Sequence, residues 1–337
     1  MSLIKKVDYS IIICTYNPDQ RLLERCLNAI YNQNTEHLNV EVILVDNNST
    51  VAISGIPFIK DLLEEMNNLF VLHEPLQGLA SARTAGIRKA KGEWIVFFDD
   101  DNEPNTNYLQ ELARINKLYN HVVVWGPGNI SVEFIDGIDG DIENYARAVF
   151  QEKRIENVEY ASIRDWQKCY PFGTGMCIKA TYLREYARLV EEGVFTASGR
   201  KGNLLTSGED VQIVLFCIKQ GLAAGSSPGL QLTHIIPAKR ANYDYIKRLL
   251  FGAYLSDSTS VLEVFPDHRL VLLSTVLKAS TFSRRSIKRF IKLSYKHDKN
   301  KMFEFITFIG NACGVYIALD RPVPSAVNWI IKRLKLN

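Results

Sequence analysis

The first hundred residues alternate between short apolar runs and segments with helical spacing, and this alternation restricts the chain to an α/β fold. Four runs have the length and composition of buried strands: YSIIICTY at 9–16, Val40–Val45, Leu69–His73 and Ile95–Phe98. After the first run, the apolar residues Leu22, Cys26 and Ile30 recur at helical spacing. Continuous apolar runs are typical of parallel strands covered on both faces. The pattern predicts a mostly parallel, Rossmann-like central sheet with intervening helices.

The net charge and the spacing of the apolar residues both change near residue 240 of this 337-residue chain. From Tyr243 onward the pattern is mainly helical, and residues 241–337 carry 16 Lys and Arg against 7 Asp and Glu. Their net charge is therefore +9, while residues 1–240 carry −6 of the total of +3. We predict a main domain at 1–240, with halves of about 1–103 and 104–240, and a basic helical extension at 241–337.

Several classes of protein lack their sequence signals here. The GxGxxG loop of dinucleotide binders and the GxxxxGK[ST] phosphate loop are absent, and we expect no nucleic-acid partner. The six cysteines form no CxxC pair and the N-terminus has no apolar leader, so we expect a cytoplasmic setting. Met302–Leu319 contains Glu304 and Asn311, which predicts a buried helix rather than a membrane span. A helix lying against a bilayer is the alternative.

Polar residues follow the predicted strands at their carboxyl ends. Thr15, Tyr16 and Asn17 end the first strand, Asp46 follows the second, and three consecutive aspartates, 99–101, follow the fourth. In open α/β sheets this edge is where ligands bind. Adjacent carboxylates repel one another, and a divalent cation would relieve that repulsion. The triplet therefore predicts a metal site, with a solvated loop as the alternative.

Five motifs occur in order along the chain: IIICTYN, ILVDNNST, GLASARTAGI, GEWIVFFDDDNEP and GEDVQIVLFCIKQG. Together they resemble family 2 of the inverting nucleotide-sugar glycosyltransferases, over roughly residues 8–255. The resemblance implies the A-type glycosyltransferase fold, with a nucleotide half before the aspartates and an acceptor half after them. It also implies a nucleotide-sugar donor, with UDP the expected nucleotide, and a bound Mn²⁺ or Mg²⁺.

The resemblance also implies roles for residues at the nucleotide. Asp46 would bind the nucleobase, and Thr15, Tyr16 and Asn17 would form the opposite wall. A carboxylate suits this role because it accepts the N–H of the base; capping of a loop or helix is the alternative. Arg83 would approach the nucleotide or the aspartates, although the family commonly has Asn where Thr84 stands, and a surface ion pair is the alternative.

For the metal, Asp101 resembles the direct ligand of the family's DxD motif. Asp99 would face the ribose or reach the metal through water, and Asp100 would lie at the nucleotide. His234, in LTHIIPAKR, resembles a further ligand, with a merely hydrogen-bonded histidine as the alternative. Hard carboxylate and diphosphate oxygens suit Mn²⁺ or Mg²⁺.

Glu209-Asp210 resembles the family's acidic pair at the start of a helix beneath the acceptor. Asp210 would be the general base and Glu209 would orient the acceptor; helix capping is the alternative for both. The donor-sugar and acceptor pocket is assigned by resemblance to six residues: Trp166, Tyr170, Phe172, Gly173, Gly175 and Arg240. For the aromatic members, a place in the core is the alternative.

The sequence therefore predicts a metal-dependent inverting transferase acting on a saccharide or lipid-linked saccharide, in bacterial surface polysaccharide synthesis. A nucleotidyltransferase and a non-catalytic nucleotide-binding scaffold are the alternatives. The basic extension predicts either docking on an anionic membrane, at the inner face of the plasma membrane, or self-association. The residues concerned are Arg284, Arg285, Lys288, Arg289, Lys292, Lys332, Arg333 and Lys335.

Overall fold

The computed structural model describes residues 6–196, 205 and 207–336. Its strands are β1 (Tyr9–Thr15), β2 (Val40–Asp46), β3 (Leu69–His73), β4 (Trp94–Asp99), β5 (Asn102–Pro104), β6 (Val122–Phe134), β7 (Lys153–Arg154), β8 (Glu159–Ala161), β9 (Cys177–Lys179) and β10 (Ala223–Ile236). Its α-helices are α1 (Gln20–Tyr31), α2 (Pro57–Glu65), α3 (Leu79–Lys89), α4 (Tyr108–Leu118), α5 (Gly140–Val149), α6 (Ala180–Glu191), α7 (Glu209–Lys219), α8 (Tyr243–Val264), α9 (Arg269–Thr275), α10 (Ala279–Lys296), α11 (Lys299–Ala318) and α12 (Ser325–Leu334).

The strands form one mixed sheet in the order β3-β2-β1-β4-β9-β6-β10-β5, with β7 beside β6 and β8 beside β10. The four strands predicted from the apolar runs form its parallel half. Beyond β4, strand β9 pairs antiparallel with β4 and β6, and β5 pairs antiparallel with β10. The α/β class and the helical C-terminal region are confirmed.

Strand register brings the predicted polar ends together at the carboxyl edge of the parallel half. Thr15 pairs with Asp46, and Cys14 pairs with Asp99 on the other side of β1. The apolar residues of these strands form the core beneath, and Asp19 caps α1 by accepting the Arg21 N–H. The edge is therefore fixed by three adjacent, well-buried strands.

A Gly-Pro-Gly sequence such as Gly126-Pro127-Gly128 predicts a turn. That prediction is wrong, because the three residues lie inside β6. A Cβ on Gly126 would lie 2.3 Å from Pro171 Cβ, and one on Gly128 would lie 2.5 Å from the Ser227 carbonyl oxygen. Glycines inside a strand often permit such close approach of a neighbouring segment. Gly126 and Gly128 therefore allow neighbouring segments to pack closely against β6, and they do not form a turn.

The chain divides into two compact units. The first comprises Met1–Glu133, Gln151–Glu192 and Ile213–Ile235, and the second comprises Phe134–Phe150, Gly193–Gln212 and Ile236–Asn337. Within the second unit, α8 and α11 pack closely, because Gly310 and Gly314 leave room for the backbone of α8. The division into functional domains at 1–240 and 241–337 stays a prediction.

The predicted helix at Met302–Leu319 is present as part of α11, which is largely buried. Within 6–196, 205 and 207–336, no helix is both long enough and apolar enough to cross a bilayer.

Candidate functional site: an acidic edge of the sheet

Three aspartates at the end of β4 differ in their surroundings. Asp99 is partly exposed, and its backbone N–H donates to Asn102 Oδ1 at 3.1 Å. Asp100 accepts a hydrogen bond from Thr15 Oγ1 at 2.5 Å, which ties the triplet to the end of β1. Asp101 is only 3% exposed. The structure thus brings Thr15 into contact with the triplet, 85 positions further along the chain, as the sequence prediction of a shared site requires.

His234 reaches the triplet through strand pairing. In the register of β5 and β10 it lies opposite Asn102, and its Nε2 lies 3.5 Å from Asp101 Oδ1. Asn102 Nδ2 also donates to Asp101 Oδ1 at 3.0 Å, and the Ile235 N–H donates to the Asp101 carbonyl at 2.9 Å. Asp101 and His234 are therefore held side by side at a buried position.

The donor set at this point fits a cation that takes few ligands from the protein. A carboxylate oxygen and an imidazole nitrogen suit Mn²⁺, and carboxylate oxygens suit Mg²⁺. Among the described residues, no group of three or more His, Cys, Asp and Glu side chains is arranged to hold a metal ion. A cation held by Asp101 and His234 would need its remaining ligands from a bound diphosphate or from water.

The triplet creates a strongly negative local potential. Burial raises the pKa of the Cys26 thiol well above its ordinary value, and the charges of Asp100, Asp101 and Asp99 raise it further. Arg83 lies at the same edge, with Nη2 3.8 Å from Asp99 Oδ1 and its guanidinium 5.1 Å from the centre of the Phe97 ring. A buried arginine beside this cluster can balance part of its charge and can bind a phosphate.

Gly173 lies directly against Arg83. A Cβ at Gly173 would lie 2.9 Å from Arg83 Nη2, closer than side chains pack. Because Gly173 has no side chain, the guanidinium of Arg83 can occupy this position. Two predicted site residues that are ninety positions apart in sequence are therefore in contact.

We expect Gly173→Ala to raise the donor KM about tenfold, because the new methyl group displaces the guanidinium of Arg83 by a fraction of an ångström or more. Initial rates against donor concentration measure the effect. Gly140→Ala is the matched control, since a Cβ there meets nothing within 4 Å. Equal KM values for the two variants would show that the position of Arg83 does not affect donor binding.

The loops after β1 and β2 are tied to each other. Asn17, at φ +46°, donates its N–H to Ser49 Oγ and accepts the Thr50 N–H on its side chain. Asp46 is buried and accepts the N–H groups of Ser49 and Ile53, one on each oxygen. The loop-capping alternative for Asp46 is therefore present, and binding of the nucleobase stays a prediction. Tyr16 is half exposed beside these loops.

Sequence reasoning missed Asn47, which connects β2 to the start of α3. Its side chain accepts the Gly78 N–H at 2.7 Å and donates to the carbonyls of Leu76 and Glu74 at 2.8 and 3.3 Å. Gly78 has φ +139°, a conformation that favours glycine. The sequence signal for Asn47 was its place directly after the strand-end residue Asp46. Its hydrogen-bond partners, Glu74, Leu76 and Gly78, lie in the loop before α3.

The predicted pocket aromatics separate into two kinds. Trp166 and Phe172 are 37% and 40% exposed, and their rings lie 5.2 Å apart at 30°. Tyr170 is buried and exchanges hydrogen bonds with the backbone of Ile163, so it occupies the core. Gly175, at φ +69°, contacts Tyr108, whose hydroxyl donates to its carbonyl. Trp166 and Phe172 keep faces that a sugar can stack on.

Glu209 and Asp210 lie in the first turn of α7, at the start of a helix as the sequence predicts, and they belong to the second unit. Asp210 Oδ1 accepts the Val211 N–H at 3.0 Å. Gly208, just before the helix, packs against α8, since a Cβ there would lie 2.4 Å from Ser260 Oγ. Arg240 belongs to the same unit, and its guanidinium lies 5.5 Å from the centre of the Phe150 ring and 5.7 Å from that of Tyr245.

Asp257 on α8 is a second carboxyl near Asp210 that sequence reasoning missed. Burial, and then the charge of Asp210, raises its pKa from 3.8 to about 7. Between these pH values the folded protein holds a proton that the unfolded chain has lost, so this group lowers stability as the pH rises.

We expect Asp257→Asn to stabilise the protein at pH 8 by up to about 4 kcal/mol and to have little effect at pH 3, below both pKa values, where the carboxyl is mostly protonated in the folded and the unfolded state. Urea unfolding at the two pH values measures this difference. Asp244→Asn on the same helix is the control. The pKa of Asp244 is lowered by Lys247, so its loss should destabilise at pH 8. A pH-independent effect of Asp257→Asn would contradict the assignment.

The chain belongs to glycosyl transferase family 2, since the model of that family matches residues 10–185, more than half of the sequence. A Bacillus subtilis (strain 168) protein assigned to the glycosyltransferases, EpsH, is 31% identical over 157 residues, which are 43% of each chain. The GalNAc(5)-diNAcBac-PP-undecaprenol beta-1,3-glucosyltransferase of Campylobacter jejuni serotype O:2 is 31% identical over 142 residues, 40% of this chain and 44% of that one.

The matched segments thus span less than half the length of both relatives. Among solved structures, S. aureus TarS 1–349 in complex with UDP is 15% identical. It aligns over 89% of this chain and 90% of that chain, with a TM-score of 0.47.

Proposed function

We propose that this protein is an inverting glycosyltransferase that moves a sugar from a nucleotide diphosphate donor, with UDP as the nucleotide, to a saccharide or a lipid-linked saccharide. The observation that carries the proposal is the acidic edge itself, where buried Asp101 lies beside His234 and Arg83 lies beside Asp99. Membership of the family supports sugar transfer as the reaction. The choice of UDP rests on the motif resemblance.

At this edge each residue has a proposed part. Asp101 and His234 would hold Mn²⁺ or Mg²⁺, which would stabilise the charge of the departing diphosphate. Arg83 would contact a phosphate, Asp99 would face the ribose or reach the metal through water, and Asp100 would lie at the nucleotide. Asp46 with Thr15, Tyr16 and Asn17 would enclose the base. Because Asp46 already accepts two backbone N–H groups, only its remaining lone pairs are available to the base.

Transfer with inversion needs one proton acceptor on the protein. The acceptor hydroxyl oxygen forms its bond to the anomeric carbon while the bond to the diphosphate breaks, and Asp210 takes the hydroxyl proton. Glu209 would orient the acceptor, and Trp166 and Phe172 would stack on a sugar ring. The C. jejuni relative is named for an undecaprenol-linked acceptor, and this supports a lipid-linked saccharide and a role in surface polysaccharide synthesis.

Thermal unfolding with UDP, GDP, dTDP or CMP, each with and without Mn²⁺, tests the donor class. A ligand at about a hundred times its dissociation constant adds about 2.7 kcal/mol to stability, which raises the midpoint by several degrees. We expect this shift only with UDP and Mn²⁺ together. The absence of any shift would contradict the metal-diphosphate site. Binding of UDP without its release from UDP-glucose or UDP-N-acetylglucosamine would favour the non-catalytic alternative.

A further inference from the structure

Helix α10 carries two parallel rows of side chains on its exposed face. Ile287, Ile291 and Tyr295 follow one another at four-residue spacing, and all three are exposed, Tyr295 by 83%. Residues at this spacing lie in line on one side of a helix. A monomeric soluble protein rarely leaves such a row of large apolar side chains open to water, and an interaction surface is the usual reason.

A basic row runs beside the apolar one. Arg284, Lys288 and Lys292 have the same four-residue spacing and are exposed. The whole helix, Ala279–Lys296, contains six Lys and Arg and no Asp or Glu. Together the two rows form the α10 outer face.

The opposite side of α10 is occupied by the protein. Phe282, Ser286 and Leu293 are buried there, and the Arg289 guanidinium lies 5.4 and 5.2 Å from the ring centres of Phe305 and Phe308 on α11. Arg289, which the sequence grouped with the docking residues, therefore packs on α11. The apolar and basic rows of the outer face are thus additional to the residues that fix the helix in the fold.

On the flank of α10, α12 adds an aromatic side chain of the type found at membrane interfaces. Trp329 is 57% exposed, and its ring lies 5.6 Å from that of Phe290 on α10. Tryptophan and tyrosine have an apolar body and a polar tip, which suits the boundary between lipid headgroups and acyl chains. Lys332 and Arg333 follow in the last turn of α12.

We propose that the α10 outer face docks the protein on the surface of an anionic lipid bilayer, with Ile287, Ile291 and Tyr295 inserted among the headgroups and the basic row on lipid phosphates. Charge favours this occupant over a second copy of the chain. A symmetric dimer through this face would bring two rows of positive charge together, whereas anionic lipids neutralise them. Binding of this kind is independent of sugar transfer.

Cosedimentation of the full chain with vesicles tests the proposal. We expect binding to phosphatidylglycerol-containing vesicles that weakens as salt rises, and much weaker binding to pure phosphatidylcholine. Reversal of the basic row (R284E/K288E/K292E) should lower the partition coefficient by about a hundredfold or more, since each basic side chain near an anionic surface contributes about fivefold. Ile287→Ser with Ile291→Ser should lower it by about tenfold.

A control of equal charge separates the outer face from the effect of net charge. Lys60, Lys117 and Lys219 are exposed on other helices, and K60E/K117E/K219E should keep vesicle binding close to that of the unaltered protein. Circular dichroism and release of UDP from the soluble donor confirm that each variant is folded. Equal losses in the two charge variants would overturn the proposal. A second result would also overturn the proposal. In that case the protein would not bind vesicles but would form a concentration-dependent dimer, and Ile287→Ser with Ile291→Ser would abolish the dimer.

Discussion

Asp101→Asn should lower the rate of sugar transfer at least about a thousandfold while the protein stays folded. The carboxylate is buried beside His234, and its replacement by an amide removes a negative charge from the proposed metal position. Without the metal, the charge on the departing diphosphate loses several kcal/mol of stabilisation, and a thousandfold rate corresponds to about 4 kcal/mol. Release of UDP from UDP-glucose and UDP-N-acetylglucosamine, at a Mn²⁺ concentration that saturates the unaltered protein, measures the rate.

The substitution is chosen so that the fold survives it. The new side chain keeps an Oδ1 that can accept the hydrogen bond from Asn102, and the Ile235 N–H bonds to the backbone of residue 101. Glu103→Gln is the matched control, because Glu103 lies two residues further along the chain, in β5, but pairs with Arg25. We expect that control to keep activity within about twofold. An Asp101→Asn variant that still turns over and still shows the Mn²⁺-dependent shift with UDP would remove Asp101 from the metal site.

The parallel half of the sheet was predictable because its signal is local. Each of the first four strands is an apolar run ending in a polar residue. Three of them, β1, β2 and β4, are buried on both faces, which requires that pattern. The carboxyl ends of neighbouring parallel strands then meet at one edge, so the proximity of Thr15, Asp46 and Asp99 follows from the fold class.

The rest of the site depends on contacts between distant parts of the chain, which periodicity does not encode. His234 lies beside Asp101 because β10 pairs with β5, and nothing local to either segment specifies that register. Strand β9 inserts between β4 and β6 with only three residues, too few to show an alternating pattern. Tyr170 and Phe172 lie just before β9, outside any strand or helix, and the sequence could not show which of the two side chains is buried. In an irregular segment neighbouring side chains have no fixed faces.

The structure also changes how the loop residues are understood. The sequence assigns a role to Asp46 alone at this strand end, yet the adjacent Asn47 also makes hydrogen bonds, and the bonds of the two side chains run in different directions. Asp46 closes its own loop at Ser49 and Ile53, and Asn47 fixes the start of α3 at Gly78. Arg83 projects from that helix toward Asp99, so Asn47 is in a position to set where the guanidinium lies. Ligand-facing and structural roles can therefore share one short motif.

Asp210→Asn should lower kcat by about a thousandfold, with the donor KM within about twofold, because a general base acts on the acceptor hydroxyl and contributes to the transition state alone. An asparagine can still accept the Val211 N–H on Oδ1, so the start of α7 should be preserved. Initial rates of UDP release against donor concentration separate the two constants, and the thermal shift with UDP and Mn²⁺ should be unchanged.

Asp257→Asn is the matched control, since it removes the neighbouring buried carboxyl but leaves the proposed base. A large loss of kcat in both variants would point to the pair of carboxyls acting together, and unchanged turnover in Asp210→Asn would show that another group takes the proton.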